Sequence, residues 1–220
     1  MRPQEFVDTV STLSFKNVFN PYSDRCPVHD RPAAACIRRS ALLATLNAAV
    51  QTEIDSLWIG RDLGYRGGRR TGLALTDDMH LESYATRWGI VIDRPTKGPA
   101  VAERTAAAIW RLLGGIGVAV ALWNVFPLHP HDEGNPFSNR VHNSQERQSG
   151  EELLGALISL LKPRRLVALG NEAAEVVARL AKDQAIVKLR HPSYGGQTEF
   201  EQQVRALYGA PNESRQRHLI

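Results

Sequence analysis

Cysteine is almost missing: Cys26 and Cys36 are the only two in 220 residues. That count excludes a cluster held by four cysteine thiolates. It leaves one disulfide at most, and in an intracellular chain free thiols are expected instead. Cys26-Pro27-Val28-His29 followed by Cys36 supplies three ligands at loose spacing, whereas a closed structural zinc site takes four, so no metal is expected. Long apolar runs are also lacking, with none near the ~20 residues that cross a bilayer. The opening MRPQEFVDTV has no basic start leading into an apolar run, so no secretory signal is read. The chain reads as a soluble cytoplasmic monomer, nucleoid-associated if bacterial, with no membrane contact. Phosphate-binding and hydrolase signatures are absent as well. The glycine-rich stretch Gly60 to Gly72 fits neither GxxxxGK nor GxGxxG opening a helix, and no Gly-x-Ser-x-Gly elbow occurs. No cofactor is expected.

What is present is an ordinary globular balance, 43% apolar and 23% charged, in a chain long enough for one well-buried core. A single domain over residues 1–220 is expected, with residues 1–39 an irregular segment packed on it. Pro21, Pro27 and Pro32 break any regular pattern there. Ser40 to Ala49 reads as a helix with Ser40 as its N-cap. Four short apolar runs read as strands buried on both faces: Ser56–Gly60, Val118–Val125, Leu166–Gly170 and Ala185–Leu189. Helical patterns lie between and after them, at Ala100–Leu113, Gly150–Leu161, Glu172–Leu180 and Thr198–Leu207. Strands alternating with helices imply an α/β fold, a three-layer α/β/α sandwich around a mainly parallel four-stranded sheet.

In such sheets ligands bind outside the carboxyl ends of the strands. The loops there begin Gly60-Arg61-Asp62, Asn124 to His131, Gly170-Asn171 and Arg190-His191-Pro192-Ser193. Polar side chains capable of catalysis therefore meet on one rim. The formal net charge is +4, and Arg61, Arg66, Arg69 and Arg70 crowd one glycine-rich segment. Such a cluster suits a polyanionic partner or is a solvated loop.

Leu57-Trp58-Ile59-Gly60-Arg61-Asp62, continuing to Gly72-Leu73-Ala74-Leu75, resembles the first motif of the uracil-DNA glycosylase superfamily. Trp123-Asn124-Val125 is similar to its strand-borne asparagine, and His191-Pro192-Ser193 to its second motif. The three follow in order over about residues 56–196. The resemblance implies a metal-independent enzyme that hydrolyses the N-glycosidic bond of uracil in DNA, leaving an abasic site and free uracil. By that resemblance, Asp62 orients or deprotonates the attacking water and stabilises a cationic sugar. His191, as a neutral imidazole, donates to the oxygen of the departing base. Asn124 pairs with the O4 and N3–H of uracil and is mismatched to cytosine. Gly60, Arg61, Tyr65, Leu75 and Phe126 are expected around the base. Arg66, Arg69, Arg70, Ser193, Tyr194 and Gly195 are expected against DNA, where extrusion of the base leaves a gap that Tyr194 fills as a wedge.

Departures from the family pattern are specific. Leu63-Gly64-Tyr65 stands where a Pro-Tyr pair is expected, and Leu75 stands where an aromatic ring stacks on the base. No lysine lies in either motif, so a Schiff-base lyase is not expected. Two rivals stay open: a glycosylase of the same superfamily for another deaminated base such as hypoxanthine, and a uracil- or abasic-DNA binder with poor turnover.

Overall fold

Seven residues from Ser56 to Asp62 form β2, and the first five of them are buried. The computed structural model describes residues 1–181, 184–193 and 195–209. Before β2 come α1 (Pro3–Thr12), β1 (Val18–Phe19) and α2 (Ala34–Ala49). After it follow α3 (Gly68–Thr71), a 3₁₀ turn at Asp78–His80, α4 (Leu81–Trp88) and α5 (Arg104–Leu113). The chain continues through β3 (Val120–Phe126), β4 (His129–Pro130), α6 (Ser144–Leu161), β5 (Arg165–Leu169) and α7 (Asn171–Leu180). It closes with β6 (Ala185–Leu189) and α8 (Gln197–Tyr208).

Four strands in the order β3-β2-β5-β6 make one sheet, and each neighbouring pair is parallel. Alternation along the strands divides the core in two. Leu57, Ile59, Trp123, Val125, Leu166 and Ala168 face α1, α2, α6 and α7. Trp58, Leu122, Val167 and Leu169 face α4, α5 and α8. This is the three-layer α/β/α sandwich expected from the alternation of elements.

Several boundaries differ from expectation, each for a local reason. β2 runs on to Asp62 because Asp62 pairs with Phe126 across to β3. β6 is not buried on both faces: it is one of the sheet's two edges, and unlike β3 at the other edge it leaves Ala185, Ile186 and Lys188 exposed. α6 starts at Ser144, six positions before Gly150. Asn143 caps it, with its side chain and that of Glu146 exchanging bonds to each other's backbone N–H.

The N-terminal segment is more ordered than its prolines imply. Phe6, Val7 and Val10 give α1 a buried face, while the three prolines fall between elements. α2 begins six residues before Ser40, just beyond Pro32. Inside it the fully buried Arg38 forms an ion pair with Asp30, and its Nε donates to the Arg70 carbonyl at 2.8 Å. The Tyr22 hydroxyl donates to the Gly72 carbonyl at 2.7 Å. The segment thus braces the glycine-rich loop that follows Asp62.

Among the described residues, no helix is long and apolar enough to cross a membrane.

Candidate active site

Asp62 closes β2 with its side chain only 7% exposed, and both carboxylate oxygens are engaged. Arg61 Nε donates to Oδ2 at 2.6 Å, and His142 Nδ1 meets Oδ1. Arg61 is itself anchored at its far end by Glu172 in the first turn of α7, at 3.0 Å. A carboxylate offers about four lone-pair sites, so Asp62 is fixed in orientation yet still able to accept from a water.

Asn124 lies across from Gly60 in the β2–β3 ladder. Its Nδ2 and Oδ1 are buried, and among the described residues neither has a hydrogen-bond partner. An unmatched buried amide costs about 1–3 kcal/mol, so its retention calls for a ligand with complementary groups. The local packing is built around it. A Cβ on Gly60 would sit 2.5 Å from Asn124 Oδ1 and 3.0 Å from Leu75 Cδ2. Only glycine leaves that amide room, and Leu75 forms the adjoining wall where the sequence pattern suggested an aromatic ring.

His191 follows β6, in a turn held by the Gly196 N–H donating to the Ser193 carbonyl at 3.1 Å. A Cβ at Gly196 would meet the His191 carbonyl at 2.2 Å, so the turn requires glycine there. The Ser193 backbone N–H donates to His191 Nδ1 at 3.2 Å, and Ser193 Oγ lies 2.7 Å from the same nitrogen. Nδ1 is therefore the acceptor, and the proton resides on Nε2. Burial, with the cations Arg61 and Arg190 nearby, depresses the His191 pKa below the usual imidazole value. The ring is held as a neutral Nε2–H donor.

The other expected residues divide. Tyr65 donates its N–H to Asn139 Oδ1 at 3.0 Å, while its hydroxyl accepts from Arg66 Nε at 2.9 Å. Arg66 is exposed and stacks over the Tyr65 ring. Arg70 was expected against phosphate; instead it is buried in an ion pair with Asp78, which leaves it no reach to DNA. Arg69 is buried too, its guanidinium 4.0 Å from the Phe19 ring centre and 5.0 Å from that of Phe137. Phe126 was expected to face the base, but it is fully buried and edge-on to Phe15 at 5.7 Å, a core residue. Ser193 serves His191, and Gly195 takes φ +77° in the same turn. Tyr194 lies outside the described residues.

Two groups escaped sequence reasoning. His142 sits sixteen positions beyond the end of β3, in a long loop far along the sequence from any end of the four-stranded sheet's strands. Glu103 stands just before α5, and its side chain fills the space beside Gly64 and Gly67, where a Cβ would come within 2.2 Å and 2.1 Å of its carboxylate oxygens. Burial and the nearby Asp77 push its pKa up to about 7. Among the described residues no cluster of three or more His, Cys, Asp or Glu side chains is placed to hold a metal. Cys26 is a buried free thiol and Cys36 an exposed one.

Wild-type SMUG2 from Pedobacter heparinus has a similar fold, with TM-score 0.58 and 17% identity over 92% of this chain and 96% of that one. Wild-type UNG from Nitratifractor salsuginis aligns at TM-score 0.43 and 14% identity, over 94% of each chain. No curated protein matches the chain. Residues 50–208 match the uracil DNA glycosylase superfamily, a span that takes in Asp62, Asn124 and His191. The chain belongs to the uracil DNA glycosylase superfamily, which supports a DNA glycosylase.

Proposed function

We propose that this protein hydrolyses the N-glycosidic bond of uracil in DNA, releasing free uracil and leaving an abasic site. The observation that carries the reading is the buried, unpartnered amide of Asn124 beneath Gly60. One donor and one acceptor side by side complement the O4 and N3–H edge of uracil. Cytosine places an amino group and a bare nitrogen at that edge, which leaves the amide mismatched.

The bond to deoxyribose breaks through an oxocarbenium-like sugar, with negative charge moving onto the base. His191 supports that charge with its Nε2–H, which is oriented before the reaction begins and stays neutral near pH 7. Asp62, pinned by Arg61 and His142, orients water and stabilises the cationic sugar. The target base reaches the pocket by leaving the stack. Arg66, which is exposed, is proposed to hold a flanking phosphate, and Tyr194 to fill the vacated space.

The test is incubation with single- and double-stranded oligonucleotides carrying one uracil, followed by alkali cleavage. Strand scission at uracil is expected, with Asp62→Asn losing excision. A parallel hypoxanthine substrate separates the related lesion. No alkali-labile site in either uracil substrate would overturn the proposal.

A further inference from the structure

Asp62 is usually the residue asked to take the water's proton in such a scheme, yet its surroundings here suit a different task. Two N–H donors already hold its oxygens, Arg61 Nε and His142 Nδ1. Those bonds fix the carboxylate as an orienting acceptor for its neighbours. The same contact acts on the histidine. A carboxylate oxygen against Nδ1 requires the proton to sit on Nδ1, so the lone pair of the neutral ring is on Nε2. Among the described residues Nε2 has no hydrogen-bond partner, and it is not one of the sealed, unsatisfied atoms. His142 and Asp62 are both only 7% exposed. Behind the ring stands Phe126, with centroids 6.0 Å apart. A carboxylate holding Nδ1–H, with Nε2 free, is the arrangement that makes an imidazole a general base.

We propose that His142 Nε2, rather than Asp62, accepts the proton of the attacking water, and that Asp62 orients the ring and stabilises the imidazolium that forms. The inference rests on the proposed excision of uracil. The water oxygen bonds to C1′ of the sugar as the bond from C1′ to the base nitrogen breaks, its electron pair leaving with the base. The water proton moves to His142 Nε2. The uracil anion is held by His191 Nε2–H and Asn124, and the imidazolium returns its proton to solvent after the product departs. No further reactant is needed. The charged and titratable groups facing His142 are Asp62 and, through it, Arg61 from β2, Glu146 from α6, and Arg140 from its own loop.

Single-turnover excision by wild type, His142→Asn and His142→Ala tests the assignment. The asparagine amide can still donate to Asp62 but has no basic nitrogen. Both variants are expected to lose about 10²–10⁴-fold in rate, and added imidazole is expected to restore part of the loss in His142→Ala. If His142→Asn stays within about threefold of wild type, the residue only positions Asp62 and the inference is overturned. Should either variant fail to fold, as a melting curve would show, wild type alone decides. The acid limb of its rate profile is expected to coincide with the titration of the His142 ring followed by NMR, and a limb independent of that titration overturns the proposal. A wild-type enzyme inactive on uracil would instead defeat the function proposed above.

Discussion

Asn124 sets activity against stability at a single position. Its amide is buried without a partner among the described residues, so replacing it with an apolar side chain of similar size removes a cost of about 1–3 kcal/mol. Asn124→Leu is expected to melt at a higher temperature than wild type while losing excision, as differential scanning calorimetry and the uracil assay would show together. Gly60→Ala should injure the same step from the opposite side. The new methyl meets Asn124 Oδ1 at 2.5 Å, so a fall in kcat/KM of about 10²-fold or more is expected, the range seen when one preorganised donor is displaced. At this scale the sequence was most legible where residues come in a fixed local order. His191 is accompanied by Pro192 and Ser193, and Ser193 is the residue that fixes its tautomer. Asp62 and Asn124 were readable from strand ends. His142 was not, because it reaches Asp62 across 80 positions through a loop with no periodicity.

That loop, between β4 and α6, is tied down by one arginine. Arg140 makes a two-pronged contact with the fully buried Glu146 carboxylate, at 2.7 Å and 2.8 Å, and also donates to the Asn17 and His131 carbonyls. Arg140→Ala strands the Glu146 charge and is expected to lower stability by about 3 kcal/mol in a urea titration. It should also slow excision by freeing the loop that presents His142. The strands were easy to read because five-to-seven-residue apolar runs bounded by polar residues have few other uses. The N-terminal elements were harder. α1 and the early turns of α2 are short amphipathic pieces whose stability comes from packing on the sheet and from the Arg38–Asp30 pair, which periodicity alone does not reveal. The arginine-rich loop misled for a related reason: Arg70 finds its counter-ion, Asp78, eight residues away inside the fold.

The whole molecule responds to pH through two opposed groups. Burial and Arg69 hold the His129 pKa at about 3, against an ordinary 6.5. Between those values the unfolded chain binds more protons, so this contribution to stability shrinks as pH falls from about 6.5 toward 3. Glu103 behaves in reverse. Its folded pKa of about 7 lies above the usual 4.5, so its contribution is complete below 4.5 and is lost as pH rises through 7. Glu103→Gln should therefore gain stability relative to wild type at pH 8 and little at pH 4, measured by denaturant melts at both. DNA binding is a second property of the whole surface. Removing the exposed Arg66 should lower the slope of log K against log salt by about one, whereas Arg70→Lys, a buried change, should leave the slope alone.

The sheet order also fixes a width. Asn124 stands on β3 and His191 follows β6, three strand spacings apart, or about 14 Å, a span wider than a pyrimidine ring. Of the two strands between them, β2 and β5, the second is followed by Gly170, which has φ +90° and places no side chain on the rim. A Cβ there would lie 3.5 Å from that of His191. That distance is ordinary contact, so it is the positive φ of the turn carrying β5 into α7, not lack of room, that calls for glycine at this point of the rim.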